Sequence, residues 1–365
     1  MTGLSTHALK RPRTTGLALL AAGIGALAVV IVAFTRGDAG NDRGTPVPAA
    51  HPSSVATASV PTPVLDTEGA SASITTFTDP GDGVRLPRDI AVGPDGNLWF
   101  TADQNQLGRI SPNGDVAMFS DPAGRIDTPD SIVAGGDGAL WFTSLGDKIG
   151  RITTTGQVTT FPVGGGDAWG PLALAAGSDG NIWFTTAADQ IGRMTPAGDV
   201  ALFDGAAAGV TFPAHITPGP DGNLWFTNFN GRIGRITPNG QITTFDAADA
   251  GPQADIAAGP DGNMWFTNAL TNRIGRITPE GAVSSFDGTA AGVSEPGAIT
   301  VGSDQSLWFT NVNDRIGRVT IDGVVTTYDA AGAQVRAASG IALGSDGNVW
   351  FTSLANNRIG FIRPS

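Results

Sequence analysis

The chain has 365 residues, a formal net charge of −12, 52 glycines, 24 prolines and no cysteine. The missing cysteines exclude disulfides, thiolate zinc sites and cysteine nucleophiles. From residue 73 onward 29 acids face 16 bases, and so acidic a surface repels phosphate backbones, which excludes nucleic acid as a partner.

Residues 1–15 form a basic tail with Lys10, Arg11 and Arg13. The next stretch, GLALLAAGIGALAVVIVAF (16–34), is apolar and uncharged. At about 1.5 Å per residue it is just long enough to cross a hydrocarbon core of roughly 30 Å. The preceding cations predict a cytoplasmic N-terminus and a single-pass anchor over 16–35, with the remainder outside the cytoplasm. The alternative is secretion after signal cleavage, although the apolar run is longer than a signal peptide needs and no clean cleavage site follows it. Residues 36–72 are rich in Pro, Ser, Thr and Ala; such text cannot bury a core and reads as a semi-extended tether.

Residues 73–365 are periodic. Trp99, Trp141, Trp183, Trp225, Trp265, Trp308 and Trp350 each stand in a (L/I/M/V)WFT box, at spacings of 42, 42, 42, 40, 43 and 42. A period of about 40–45 residues in strand-like text indicates propeller blades. Within PRDIAVGPDGNLWFTADQNQLGRISPNGDVAMF (87–119), four short β-rich runs are separated by PDGN and PNGD turn signals. We therefore expect an all-β, seven-bladed propeller of four-stranded blades, with strands A to D running from the axis outward. The last repeat ends without a D strand and ITTF (74–77) precedes the first A strand, so the N-terminal strand should complete the seventh blade and remove an open edge.

Features shared by nearly every blade read as scaffold. The box tryptophans and their Phe partners should pack between blades. GPDGN lacks the spaced acids of a calcium loop and reads as a hairpin turn. Arg109, Arg151, Arg193, Arg235, Arg276 and Arg318 recur on strand C and should pair with nearby carboxylates or carbonyls, with a ligand path as the alternative.

Residues that break the pattern are the candidates for function. The D–A and B–C loops vary and share one face, the usual place for function on a rigid scaffold. The A strands open with Asp89, Ser131, Ala173, His215, Asp255, Ala298 and Gly340, whose polar members could converge on the channel. Asn228, Asn268 and Asn311 follow the boxes of three consecutive blades and read as a ligand-facing polar arc. Trp169, the only box-free tryptophan, either stacks on a ligand or caps its loop. His215 is the only histidine beyond residue 51; it is either a bonded histidine of the scaffold or an acid, base or ligand contact in the channel.

The repeat text GPDGNLWFT with RIGRIT and ITTF, clearest at 219–245, resembles the virginiamycin B lyase (streptogramin lyase) family over about residues 73–365. That resemblance implies a seven-bladed propeller and enzymes that linearise streptogramin B antibiotics by magnesium-assisted elimination. It also implies histidines in Pro-His text on A strands and an acid after a WF box. Here the matching text is PRDI (87–90), PDSI (129–132), PLAL (171–174), PAHI (213–216) and PGAI (296–299). His215 falls one residue beyond the motif position, which in a regular strand turns a side chain to the other face. Glu295 matches the acid before Pro-His, but Gly297 stands where the histidine belongs, and no box is followed directly by Glu.

Three readings follow, in order of preference. The first is a tethered monomer that binds a small molecule, polymer or protein at the loop face, using Trp169, Asp89, Asp255, Asn228, Asn268 and Asn311, with no cofactor required. The second is a carbon–oxygen lyase with a rearranged site, His215 as base, Glu295, Asp255 or Asn268 holding a metal or orienting the substrate, and magnesium as the metal. The third is a purely structural envelope protein.

Overall fold

The computed structural model describes residues 73–78, 83–144, 147–164, 170–247 and 254–364. Among them 28 strands, β1 to β28 in chain order, form seven four-stranded antiparallel sheets. The first complete blade is β2 (Ile90–Val92), β3 (Leu98–Ala102), β4 (Gln106–Ile110) and β5 (Val116–Ser120), in that order from the axis outward. Five further blades repeat it. The A strands neighbour one another around the axis, and the ring closes between β2 and β26 (Ala338–Leu343).

Closure follows the expected route. Strand β1 (Ile74–Thr78) pairs with β28 (Arg358–Ile362) from Ile74 opposite Ile362 to Thr78 opposite Arg358. Its Phe77 stacks on Trp350 with ring centroids 5.7 Å apart. In the other six blades the box tryptophan stacks on the D-strand aromatic of its own blade, at 4.9–5.6 Å. The N-terminal strand thus supplies the one aromatic that the seventh blade lacks. The expected membrane span and tether lie outside the described residues, among which no helix is long and apolar enough to cross a membrane.

Packing is between blades. Each of seven core clusters joins two consecutive blades; one combines Trp265, Ile274 and Phe286 with Val293, Ile299, Leu307, Phe309 and Val319 of the next. The seven tryptophans are 0–1% exposed. Burying about 200 Å² of each, at about 25 cal/mol per Å², contributes on the order of 5 kcal/mol per tryptophan before entropy. The C–D turns press against the previous blade's D strand. Gly114, at φ +95°, is one such point: a Cβ there would lie 2.4 Å from the Phe77 ring.

The repeated polar residues are scaffold too. The GPDGN-type turns are hairpins, and their aspartates accept the indole N–H of the box tryptophan at 3.0–3.2 Å in all seven blades, from Asp95 with Trp99 to Asp346 with Trp350. The six strand C arginines lie 5.3–6.0 Å from the same tryptophan rings. Five of them also pair with the turn aspartate, as Arg318 does with Asp304 at 2.7 Å, and Arg193 donates to the Pro238 carbonyl instead. Their guanidinium groups are engaged by the scaffold.

Candidate functional site

The box threonine fixes the head of each A strand. Thr101 Oγ1 accepts the N–H of Asp89 at 3.1 Å and donates to the carbonyl of Asp130 in the next blade at 2.8 Å. The same relay recurs at Thr185, Thr267 and Thr352. Side chains at the heads extend it: Asp89 Oδ2 accepts from Ile132 N at 2.8 Å, Ser131 Oγ from Leu174 N at 3.3 Å, and Asp255 Oδ2 from Ile299 N at 2.9 Å, each in the following blade. These heads are therefore struts as well as candidates for function.

His215 lies on β14 (Pro213–Pro218), where the pairing with β15 (Leu224–Asn228) shifts between Pro213 and Ile216. Two residues, Ala214 and His215, there oppose one, Thr227, whose Oγ1 accepts the N–H of His215 at 3.0 Å. This bulge suspends the alternation on which the one-residue argument depends, and bulges commonly re-aim a side chain in this way. The expected flip to the other face does not apply at His215.

The His215 ring pairs with Asp255, Nδ1 to Oδ1 at 3.1 Å, and 49% of its side chain is exposed. Exposure and desolvation coexist because the ring belongs to an innermost strand, flanked on both sides by the A strands of the neighbouring blades. Desolvation there favours the neutral ring, yet the charge and hydrogen bond of Asp255, then the charges of Asp89 and Asp130, outweigh it and raise the imidazole to about 9. Asp89 is raised as well, which for an acid favours the neutral form. Burial raises its carboxyl to about 6, against the N–H bonds from Ile132 and Ile90 and the charge of His215. Beside them Arg88 and Asp130 form a looser pair at 3.8 Å. They occupy the positions at which the family resemblance expects histidine in the first two blades.

The structure thus pairs His215 of blade four with Asp255 of blade five, and the charge of Asp89 in blade one acts on both. It does not join Glu295 to them. Glu295 is exposed in the loop before β22 (Pro296–Val301), at φ +44°, with its N–H bonded to Asn272 Oδ1. No hydrogen bond or ion pair links it to His215 among the described residues. A Cβ on Gly297 would lie 2.9 Å from Thr310 Oγ1, so a histidine at that motif position would press on the threonine that donates to the Ser339 carbonyl.

The asparagine arc is corrected. Asn228, Asn268 and Asn311 are 0–1% exposed, so they line no open surface. They brace the loops: Asn228 Oδ1 accepts from Thr211 N, Asn268 Oδ1 from Thr271 N, and Asn311 Oδ1 from Ser294 N. A polar side chain at the top of strand B has unpaired loop amides beside it, and satisfying them draws it inward. Trp169 lies outside the described residues.

Magnesium, which the resemblance implies, finds no ligand set. Among the described residues no three His, Asp or Glu side chains stand together as metal ligands. Both oxygens of Asp89 and of Asp255 already accept backbone N–H bonds. The donors present do not fit the ion.

Composition alone gave no reason to single out an apolar group on the loop face. Phe212 and Phe229 are 44% and 43% exposed with rings edge to face at 6.3 Å, and Leu270, in the next blade, is 58% exposed. Comparison between blades carries the signal, since the positions equivalent to Phe212 hold Leu86, Thr128, Gly170, Pro252, Glu295 and Ala337, with no other aromatic.

The chain matches the virginiamycin B lyase family over residues 69–206 and 167–365. A solved streptogramin B lyase is 32% identical, with a TM-score of 0.71 over 80% of this chain and 97% of that one. A catalytically inactive histidine-to-alanine variant of virginiamycin B lyase from Staphylococcus aureus, solved with quinupristin, is 30% identical, with a TM-score of 0.70 over 80% of this chain and 99% of that one. The extracellular domain of a hybrid two-component system from B. thetaiotaomicron shares the fold at 18% identity and a TM-score of 0.65, over 81% of this chain and 42% of that one. No curated protein matches the chain.

Proposed function

Since the chain belongs to the virginiamycin B lyase family, whose solved members include lyases, we propose that it keeps the propeller as a ligand-binding platform in which His215 is a fixed proton donor and not a base. One observation carries this reading: His215 is held by Asp255 at 3.1 Å and its imidazole is raised to about 9. A base must be unprotonated at the working pH, and near neutrality this ring is charged. With Nδ1 engaged by Asp255, Nε2 is the N–H that a ligand can reach. A carbonyl or similar acceptor in the channel would meet a charge-assisted donor. The occupant is a small ligand seated at the loop-bearing mouth, and the apolar run at 16–34 would tether a monomeric propeller outside the cytoplasm.

The test is direct. The full chain is incubated with a streptogramin B lactone, with and without magnesium, and the lactone is followed by mass spectrometry and liquid chromatography. The expected outcome is an unopened lactone at neutral pH. A ring-opened product of unchanged mass, lost in His215→Ala, would show instead that elimination survives in a displaced site.

A further inference from the structure

The loops of blade four hold two phenyl rings in the open at some cost. Phe212 takes φ +43°, a left-handed conformation that a bulky residue adopts only under constraint, and it precedes Pro213, which disfavours helical backbone before it. The constraint is visible: Phe212 N donates to Asp189 Oδ1 of blade three at 2.7 Å, and Phe229 N donates to the carbonyl of Thr211 at 3.1 Å. The same clasp anchors Leu86, Thr128, Glu295 and Ala337 on Asn357, Asn105, Asn272 and Asp314. It is a structural device of the fold, and only in blade four does it present an aromatic ring. That ring stands three residues before His215 on the same chain segment.

Resting on the reading of His215 as a donor, we infer that Phe212 and Phe229, with Leu270 exposed in the next blade, form a ring seat for the same ligand. The ligand is a small molecule carrying an aromatic ring and an uncharged carbonyl acceptor. Size selects the class, because a stable protein interface needs roughly 800 Å² per partner and three half-exposed side chains offer enough for one ring. Charge selects the acceptor. The charges of Asp255, Asp89 and Asp130 all act on His215, and Arg88 pairs with Asp130, so an anionic ligand meets three carboxylates for two cations.

The test uses the full chain with two probes, N-acetyl-phenylalanine methylamide and the N-acetyl-phenylalanine anion, followed by saturation-transfer NMR and competition. The neutral probe is expected to bind at pH 7 and the anion to bind about tenfold more weakly. Replacing both rings, Phe212→Ala with Phe229→Ala, is expected to weaken the neutral probe about tenfold, the size of an aromatic contact. Phe212→Gly, which relieves the backbone, is expected to fold with an undiminished Tm and still lose ring binding, so a folding defect is separable. Full binding by the double variant would overturn the ring seat, and equal binding of the two probes would overturn the selection for a neutral acceptor. If the double variant loses binding while His215→Gln keeps it, the seat stands and the donor reading fails. The reverse pattern would leave the donor reading standing and remove the seat.

Discussion

At the scale of single residues, the channel's chemistry is set by which charge outlasts desolvation. Imidazole and carboxylates are all penalised by enclosure, but His215 has three acids within electrostatic reach and Asp89 has one imidazolium. Both folded values lie above their ordinary ones, so both groups favour the fold at lower pH. The contribution of His215 is complete below about 6.5 and disappears as pH rises through about 9; that of Asp89 is complete below 3.8 and disappears as pH rises through about 6. Asp255→Asn removes the first attractive partner, and the His215 imidazole is expected to titrate at least one unit lower. An NMR titration, with His215→Gln identifying the resonance against His7 and His51, measures it; an unmoved midpoint would mean that Asp255 does not hold the charge.

At the scale of the element, the hairpin turn between strands A and B is the repeated unit of stability. Burial disfavours the charge of Asp221, but bonds from Asn223 and the Trp225 indole, with the nearby Arg235, hold its carboxyl below the usual carboxylate range. Asp95, Asp137, Asp179, Asp261 and Asp304 are lowered in the same sense. A lowered acid stabilises above its unfolded value of 3.8 and loses that stabilisation as pH falls through its folded one. Acid unfolding should therefore begin below about pH 4 and be driven by the turns, while the channel groups act in the opposite direction. Asp221→Ala leaves the Trp225 N–H buried without an acceptor, at a cost of about 1–3 kcal/mol. Denaturant titration at pH 7 and at pH 3 should show that difference shrinking in acid, and an equal difference at both values would contradict the account.

At the scale of the whole molecule, the ring is only as closed as β1. Phe77 fills the gap between Trp350 and Phe361, at 5.7 and 5.9 Å. Removing residues 1–78 would strip the seventh blade of its outer strand and leave β28 with an unpaired edge, the usual template for association. Size-exclusion chromatography should show residues 79–365 associating while residues 73–365, which keep β1, do not. A milder variant, Phe77→Ala, should lose about 2–4 kcal/mol through the cavity alone; an unchanged stability would show that the ring does not depend on this contact.

Much of this molecule is determined by local text repeated seven times. The (L/I/M/V)WFT box, the turn aspartate and the strand C arginine recur at near-constant spacing, so their roles follow from periodicity, and the missing last D strand implies closure by residues 74–77. The resemblance to streptogramin lyases was legible for the same reason. The candidate site was less so, because it is assembled from places where the repeat is broken. Asp89 and Asp255 are 166 residues apart in sequence, and only ring closure brings them both within electrostatic reach of His215. Alternation misplaced His215 because a bulge is a pairing defect, visible only once both strands are in register. Asn228, Asn268 and Asn311 turned inward because nearby loop amides needed acceptors, a demand set by tertiary packing. The sequence by itself determined the scaffold, since each blade repeats one local solution to burying its faces. The tertiary structure alone decided which irregular residues meet at the axis and what charge they hold there, because contact and desolvation belong to the closed ring and to no single blade.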